Sequence, residues 1–474
     1  MRLKLFPTVA FAAIAFLLIK AFSPQGKSRQ PQAAPQPESY QVPNIGTGPS
    51  DGAVTFTSSL DNPYYRLDKT DRHATIYLET LISKFINEKA KRTPLNLSIV
   101  IDRSGSMQGD KLASAKKAAI YMIQQLKPED YINIIAYDDQ VIVLQHSVAV
   151  NDKAALISKI NSIQTNGSTN LWGGTAKGYE EVKANYKSNY VNRVLLLSDG
   201  LANAGVTDNN AIAYKVQQFK DKEGITLSTF GLGLDYNETL MTDMAETGNG
   251  NYYFIDAPDK LAAIFDKELN GLLNVAAQNA TVQVTLPQGT SLEKAYNFKY
   301  IAKGNVITFS LRDLFSEETK GIMINCKLDD KISGDLKFLS SIEFDNVADG
   351  RHISIKNENI LSPTGDANLY TQNFNEKVLE QVILNTANEN MEKAMAETDK
   401  GNYIGAQSIM TSNAAYLKTN ASAVSKSKEL QRMDSVSFQY SAQMQNADKM
   451  DAIQIKGMQK ATKSVNYKVR AKKN

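Results

Sequence analysis

The chain has 474 residues, of which 42% are hydrophobic and 22% are charged, and this length suggests about three folded domains. Its net charge of +3 is too small to predict a nucleic-acid partner. The single cysteine, Cys326, excludes an intramolecular disulfide, and three scattered histidines argue against a thiolate or imidazole zinc site.

Residues 1–22 have the pattern of an export signal. Arg2 and Lys4 precede an uncharged, mostly apolar run over residues 5–19, shorter than the about 20 residues of a full membrane span. Pro24 makes a poor cleavage site, so an uncleaved membrane anchor is the alternative to a signal peptide. In both cases we expect the bulk of the chain to be exported, to the periplasm, the cell envelope or the extracytoplasmic side of a membrane.

Downstream, the pattern changes several times. Residues 23–50, rich in Pro, Gln, Gly and Ser, predict a flexible linker, and residues 51–93 predict a β segment. Residues 94–278 alternate buried strands with helices, which predicts a doubly wound, Rossmann-like α/β domain. Residues 279–362 predict an antiparallel β-sandwich, and residues 366–474 predict a C-terminal α-helical hairpin region. The expected fold is therefore multidomain.

Three finer expectations follow from local signals. The β segments 51–93 and 279–362 are expected to form one sheet domain into which the α/β domain is inserted. Asn151 is the expected N-cap of the helix in DKAALISKINSI. The basic C-terminal sequence KSVNYKVRAKKN predicts a frayed, solvated tail.

The stretch LNLSIVIDRSGSMQGDKL, residues 95–112, places a carboxylate and two hydroxyls directly after a buried strand. A phosphate-binding loop, a catalytic nucleophile and a cation site compete as explanations. The phosphate loop fails because Gly105 and Gly109 precede Lys111 at the wrong spacing. A catalytic serine would lack a nearby histidine as its base.

Two later segments favour the cation site. Asp102 and Asp199 each follow a buried strand, and ligands of doubly wound sheets gather at strand carboxyl ends where the winding direction reverses. Ser104 and Ser106, together with Thr169 from a Gly-rich loop, add hydroxyl oxygens. Two carboxylates and three hydroxyls, without sulfur or imidazole, form the type of ligand set that Mg²⁺ prefers.

The motifs DRSGS, GSTN and LLLSDG, in this order, resemble the von Willebrand factor A domain with its metal-ion-dependent adhesion site, over residues 94–276. The resemblance implies a bound Mg²⁺, or Mn²⁺ or Ca²⁺, with an acidic side chain of a protein partner as the last ligand. It assigns the metal to Asp102, Ser104, Ser106, Thr169 and Asp199. The flanking β segments and C-terminal helices resemble bacterial envelope proteins that carry this domain.

Three neighbouring residues are candidates for a partner-binding rim. Trp172 is either an aromatic anchor or a packing residue in the first turn of a helix. Asp138, beside Asp139, either adds negative potential near the metal or belongs to a solvated turn. Arg103 contacts either a partner or an internal carboxylate.

These observations predict a non-enzymatic, exported adhesion or scaffold protein that binds an acidic protein ligand through a divalent cation. The first alternative is a metal-dependent phosphoester hydrolase on the same site, for which the sequence offers no obvious general base. The second alternative is a purely structural envelope protein.

Overall fold

The computed structural model describes residues 50–84 and 92–470. The signal peptide or anchor predicted for residues 1–22, and the linker predicted for residues 23–50 except its last residue, lie outside these ranges. Within the two ranges, no helix combines the length and the apolar content that crossing a membrane requires.

The first described segment is made of strands. These are β1 (Ser50–Asp51), β2 (Val54–Leu60), β3 (Tyr64–Arg66) and β4 (Arg72–Ile82). Their buried residues include Val54 and Phe56 in β2 and Ile76 and Leu78 in β4. The apolar positions of β2 and β4 therefore form one wall of a core, as the alternating pattern of this segment predicts.

The α/β segment contains six strands and six helices. The strands are β5 (Leu95–Asp102), β6 (Tyr131–Tyr137), β7 (Val141–Ala149), β8 (Val191–Ser198), β9 (Thr226–Leu232) and β10 (Asn249–Ile255). The helices are α1 (Asp110–Gln125), α2 (Lys153–Asn161), α3 (Leu171–Ala184), α4 (Asn209–Gln218), α5 (Glu238–Thr247) and α6 (Leu261–Leu273). Helix α4 continues as one π-helical turn, Phe219–Glu223.

These strands form a sheet of order β10-β9-β8-β5-β6-β7, in which only the edge strand β7 is antiparallel. Every residue of β5 and β8 is buried, because helices cover both faces of the sheet. The chain lays down β5 to β7 on one side and then crosses to β8 on the other side of β5. The winding therefore reverses between β5 and β8, which confirms the doubly wound prediction and places a crevice at the ends of these strands.

The N-cap predicted for α2 is wrong by one residue. Asp152, and not Asn151, is the cap, and its Oδ1 accepts a hydrogen bond of 2.9 Å from the backbone N of Ala155. Both residue types are good caps, so the local sequence does not distinguish them.

A second β segment follows the α/β segment. Its strands are β11 (Val275–Thr285), β12 (Thr290–Tyr296), β13 (Ile301–Lys303), β14 (Val306–Phe315), β15 (Thr319–Leu328), β16 (Leu336–Asn346) and β17 (His352–Thr364). They join the first strands in two sheets, of order β1-β2-β4-β15-β12 and β13-β14-β11-β16-β17-β3. Cys326 on β15 lies opposite Ala74 on β4 and is fully buried between the sheets.

The two β segments therefore share sheets and a core. Strand β4 pairs with β15 over its length, and β3 pairs with the end of β17. Phe56 from the first segment packs in the same apolar cluster as Phe309 and Phe344 from the second. The α/β segment is therefore inserted in the chain between the two β segments that form the sandwich.

The C-terminal segment is helical and larger than a hairpin. Its helices are α7 (Ala367–Gln372), α8 (Glu376–Asp399), α9 (Tyr403–Thr419), α10 (Ala421–Lys426), α11 (Lys428–Met444) and α12 (Ala452–Arg470). Helices α8 and α9 form the predicted hairpin, and α11 and α12 pack against α8. The prediction of a frayed tail is wrong for residues 463–470, because α12 reaches Arg470 and buries Tyr467 in the α/β domain. The last four residues of the predicted tail, 471–474, lie outside the described ranges.

Candidate metal centre

The five residues predicted as metal ligands belong to three loops at the carboxyl edge of the parallel sheet. Asp102 is the last residue of β5, and Asp199 directly follows the neighbouring strand β8. Ser104 and Ser106 lie in the turn between β5 and α1, and Thr169 lies two residues before α3. The reversal of winding between β5 and β8 separates the loops that follow these strands, which creates the space for a site.

Asp102 lies at the base of the site and is fully buried. Its Oδ1 accepts a hydrogen bond of 2.9 Å from the backbone N of Ser104, and its Oδ2 accepts one of 2.6 Å from Ser198 Oγ. Burial raises the pKa of Asp102 to about 6, although these hydrogen bonds lower it and oppose the effect. A cation beside this carboxylate would favour its charged form.

The two serines connect the base of the site to Asp199. Ser104 Oγ and Ser106 Oγ lie 3.1 Å apart, and Ser106 Oγ donates a hydrogen bond of 2.7 Å to Asp199 Oδ1. Asp199 is fully buried, and Ser104 is nearly so. The hydroxyl and carboxylate oxygens of two loops are therefore within hydrogen-bonding distance of one another.

Thr169 approaches the same point from a third loop. Its backbone N donates a hydrogen bond of 2.8 Å to Asn203 Oδ1, and its carbonyl accepts one of 3.1 Å from Asn203 N. A Cβ added to Gly200 would lie 2.8 Å from Thr169 Oγ1 and 3.6 Å from Ser106 Oγ. The structure thus brings Thr169 close to Ser106. Ser106 is linked in turn to Asp199 and Ser104, and Ser104 to Asp102, so all five predicted ligands form one cluster.

This arrangement fits a divalent cation with oxygen ligands. The five side chains supply only carboxylate and hydroxyl oxygens, the donors that Mg²⁺, Mn²⁺ and Ca²⁺ accept. The absence of a side chain at Gly200 leaves the cradle beside Thr169 and Ser106 open. In the described part of the chain, no three His, Cys, Asp or Glu side chains come close enough to form a metal cluster, so hydroxyl ligands are essential to this candidate site.

Lys111 is a participant that the sequence reasoning missed. Its Nζ donates a hydrogen bond of 2.5 Å to Asp199 Oδ2, the carboxylate oxygen that does not face Ser106. Lys111 is the second residue of α1, and its side chain is 25% exposed. The sequence signal for Lys111 is its position close behind DRSGS, the same position that excludes a phosphate-binding loop.

Of the three rim candidates, two contact each other. Arg103 Nη2 lies 2.6 Å from Asp138 Oδ2, so Arg103 contacts an internal carboxylate. Asp138 is fully buried, and its Oδ1 accepts a hydrogen bond of 2.7 Å from Gln140 N. A partner contact at Asp138 does not fit this burial. The neighbouring Asp139 is the exposed carboxylate of this turn.

Trp172, the third candidate, packs on the side of α3. Its ring centroid lies 6.4 Å from that of Phe219, and Lys215 Nζ lies 5.7 Å from the ring centroid. The ring is half-buried, so it combines a packing role with a remaining accessible surface.

The three histidines of the chain form pairs with carboxylates away from this site. The pairs are His73 with Glu293, His146 with Glu181, and His352 with Asp345. No imidazole is therefore available beside Ser104 or Ser106 to act as a general base.

Comparisons with known proteins agree with the fold. Residues 96–267 match the family model of the von Willebrand factor type A domain. Two solved structures share the fold. A von Willebrand factor type A protein from Catenulispora acidiphila has a TM-score of 0.66 and 15% identity, and the match covers 80% of this chain and 89% of that protein. The ArnB paralog VWA2 from Sulfolobus acidocaldarius has a TM-score of 0.62 and 17% identity, and the match covers 87% of this chain and 98% of that protein.

Curated relatives match parts of the chain. The protein YfbK of Escherichia coli is 31% identical over 42% of this chain and 35% of its own length. The protein sll0103 of Synechocystis is 25% identical over 54% of this chain and 63% of its own length. Inter-alpha-trypsin inhibitor heavy chain H1 of Sus scrofa is 31% identical over 38% of this chain and 21% of its own length. The matches thus span less than two thirds of each relative.

Proposed function

Because residues 96–267 form a von Willebrand factor type A domain, we propose that this chain is an exported, non-enzymatic protein-binding module that depends on a divalent cation. Such domains are typically interaction modules, and the coarse assignment to protein binding rests on that family membership. One observation carries the finer proposal: five oxygen-bearing side chains from three loops converge at the reversal point of the sheet.

The proposed metal is Mg²⁺, with Mn²⁺ or Ca²⁺ as substitutes, and its proposed ligands are Asp102, Ser104, Ser106, Thr169 and Asp199. When bound, the cation supplies positive charge to which a carboxylate of a partner can bind. Asp102 and Asp199 balance the charge of the cation, so an incoming acidic side chain meets little repulsion. The partner is therefore proposed to present an exposed Asp or Glu.

Support for a non-enzymatic role comes from the side chains around the site. The serine hydroxyls bond to each other and to Asp199, a proposed metal ligand, rather than to an imidazole. Lys111 and Ser106 occupy both oxygens of Asp199. Hydrolysis of a phosphoester would need a positioned general base, and these contacts favour binding over catalysis.

The proposed location rests on the N-terminal sequence alone. Arg2 and Lys4 followed by the apolar run of residues 5–19 support export to the periplasm or cell envelope, by a cleaved signal or by an anchor. Mass spectrometry of the mature N-terminus distinguishes the two. Recovery of the chain in the cytoplasmic fraction would contradict export.

The test of metal-dependent binding uses Asp102→Ala and, as a matched control, Asp139→Ala, which removes an exposed carboxylate from the neighbouring turn. Titration calorimetry with Mg²⁺ and Mn²⁺ is expected to detect binding to the wild type and to the control but not to Asp102→Ala. Recovery of partners from envelope extract is expected to require Mg²⁺ or Mn²⁺. It is expected to succeed with the wild type and with Asp139→Ala but to fail with Asp102→Ala.

Two results would contradict the proposal. Equal partner recovery with Mg²⁺, with chelator and with Asp102→Ala would leave only a structural role. Turnover of a generic phosphoester that disappears in Asp199→Ala would favour the hydrolase instead.

A further inference from the structure

The chain contains three Asn–Gly sequences, which are Asn166–Gly167, Asn249–Gly250 and Asn270–Gly271. Asparagine is a thermolabile residue, and a following glycine increases its reactivity, because a residue without a Cβ lets its backbone nitrogen approach the preceding side-chain amide. The local structure decides whether this approach takes place, since the reacting atoms must come within about 3.5 Å of each other. The three sequences lie in three different local structures, so the fold distinguishes them.

Two of the three asparagines are held in regular secondary structure. Asn270 is exposed, but it lies inside α6, and its side-chain amide donates a hydrogen bond of 3.1 Å to Asp266 Oδ2. Asn249 is the first residue of β10, and its side-chain amide donates a hydrogen bond to the carbonyl of Leu311. Both side-chain amides are therefore restrained by contacts other than the following glycine.

Asn166 lies in a different environment. It is exposed in the loop between α2 and α3, and its side-chain amide makes no hydrogen bond to any residue that the structure describes. The backbone N of Gly167, the nucleophile of the reaction, likewise donates to no group in the described part of the chain. Both reacting groups are therefore free of competing contacts.

The loop also favours glycine at position 167. Gly167 has a φ of +59°, in the left-handed region that glycine adopts without steric cost. A Cβ added to it would lie 3.2 Å from Asp138 Cβ and would be even closer to the carboxylate of Asp139. A larger residue, which would slow the reaction, therefore fits this position poorly.

We propose that Asn166 is a site of spontaneous deamidation. The nitrogen of Gly167 attacks Asn166 Cγ, the new C–N bond closes a succinimide ring, and the proton of this nitrogen leaves with the amide group as ammonia. Water then opens the ring. Cleavage of the bond from Cγ to the nitrogen gives aspartate, and cleavage of the bond from the backbone carbonyl carbon gives isoaspartate. The whole reaction consumes one water molecule and releases one ammonia molecule.

The isoaspartate product separates two loops of the candidate metal site. Asn166 N donates a hydrogen bond of 2.8 Å to Arg103 O, and Gly105 N donates one of 3.2 Å to Gly167 O. These two bonds join the loop of Thr169 to the loop that follows β5. Isoaspartate adds one main-chain atom between them, so both bonds cannot persist at their present spacing. This consequence for the metal rests on the proposed function, whereas the deamidation does not.

The test is incubation of the full chain in mildly alkaline buffer, followed by digestion and mass spectrometry. Conversion of the amide to an acid raises the mass of the affected peptide. Asn270, exposed like Asn166 but helical, is the control within each digest. We expect Asn166 to deamidate at least about tenfold faster than Asn270, because its loop lets the reacting groups meet. Equal rates at the two positions would overturn the proposal.

A second arm measures the effect on the metal site by titration calorimetry with Mg²⁺ before and after incubation. The isoaspartate form of the wild type, separated by ion exchange, is expected to bind Mg²⁺ at least about tenfold more weakly. Asn166→Gln, whose longer side chain closes the ring much more slowly, is expected to keep its affinity through the same incubation. An isoaspartate form with unchanged affinity would overturn the link to the metal site. Absence of Mg²⁺ binding before incubation would instead contradict the proposed function, and the mass measurement would still decide the deamidation.

Discussion

Lys111 Nζ lies 2.5 Å from Asp199 Oδ2, so one carboxylate of the candidate metal site is shared with a cation of the chain itself. The other oxygen of Asp199 accepts a hydrogen bond from Ser106. Gly233 lies alongside, where an added Cβ would be 3.2 Å from Lys111 Cε. Lys111 is therefore held between a loop and Asp199, and its charge acts on any ion bound there.

The first prediction concerns this lysine. Lys111→Met removes a positive charge next to the site, so we expect Mg²⁺ to bind about tenfold more tightly because the repulsion between the ammonium group and the metal ion is lost. The control is Lys117→Met, an exposed position on the same helix. Titration calorimetry measures both. Weaker binding in Lys111→Met would mean that the lysine orders Asp199 for the metal rather than competing with it.

The second prediction concerns the open space at Gly200. In Gly200→Ala the new Cβ would lie 2.8 Å from Thr169 Oγ1 and would displace this hydroxyl. The backbone of Thr169 cannot easily follow, because Asn203 holds it by a hydrogen bond. We expect Mg²⁺ affinity to fall about tenfold with the fold retained. Gly365→Ala is the control, because its added Cβ meets nothing within 4 Å. Unchanged affinity in Gly200→Ala would remove Thr169 from the ligand set.

The third prediction concerns a buried ion pair at the side of the α/β sheet. Arg193 Nη1 lies 2.9 Å from Glu268 Oε1, and the side chains are 1% and 0% exposed. Glu268→Gln leaves Arg193 buried without its counter-charge, so we expect about 3 kcal/mol lower free energy of unfolding. Urea denaturation measures this loss, and the exposed Glu180→Gln is the control. A loss of unfolding free energy in Glu268→Gln that is smaller than the loss in Glu180→Gln would contradict a stabilising role of the ion pair.

The same pair predicts a pH dependence. Burial raises the pKa of Glu268, but Arg193 and hydrogen bonds from Ser228, Asn251 and Tyr253 outweigh burial and hold the pKa below its ordinary value of 4.5. The folded state therefore releases this proton more readily than the unfolded state. The stabilisation by Glu268 is present above pH 4.5 and is lost as the pH falls through the folded-state pKa. Wild type and Glu268→Gln should thus converge in stability on acidification.

The fourth prediction concerns the docking of α12. Tyr467 is 4% exposed, its ring packs edge-on to Tyr252 at 5.5 Å, and its hydroxyl accepts a hydrogen bond of 3.2 Å from Tyr252 N. We expect Tyr467→Ala to lower the free energy of unfolding by about 3 kcal/mol, as for other large buried side chains. Tyr214→Ala, at a position 62% exposed, is the control in the same urea titration. Equal effects would indicate that α12 is not docked in solution.

The sequence by itself determined the α/β pattern, the β segments and the five residues of the candidate site. Buried strands such as β5 are mostly apolar runs, and motifs such as DRSGS place ligands directly after them. Both signals can therefore be recognised from adjacent residues in the sequence. The N-cap of α2 was missed by one residue because Asn151 and Asp152 have similar capping preferences.

The sequence predicts that the β segments meet and that the candidate ligands converge, but only the tertiary structure decided which individual residues of distant segments pair. Lys111 and Asp199 are 88 positions apart, and the pairing of β4 with β15 joins residues separated by the whole α/β domain. The basic C-terminal sequence resembles a solvated tail because its charges dominate the local pattern, yet Tyr467 buries its ring against the α/β domain. Local periodicity reports which face of an element is apolar, and three-dimensional packing decides which other element covers that face.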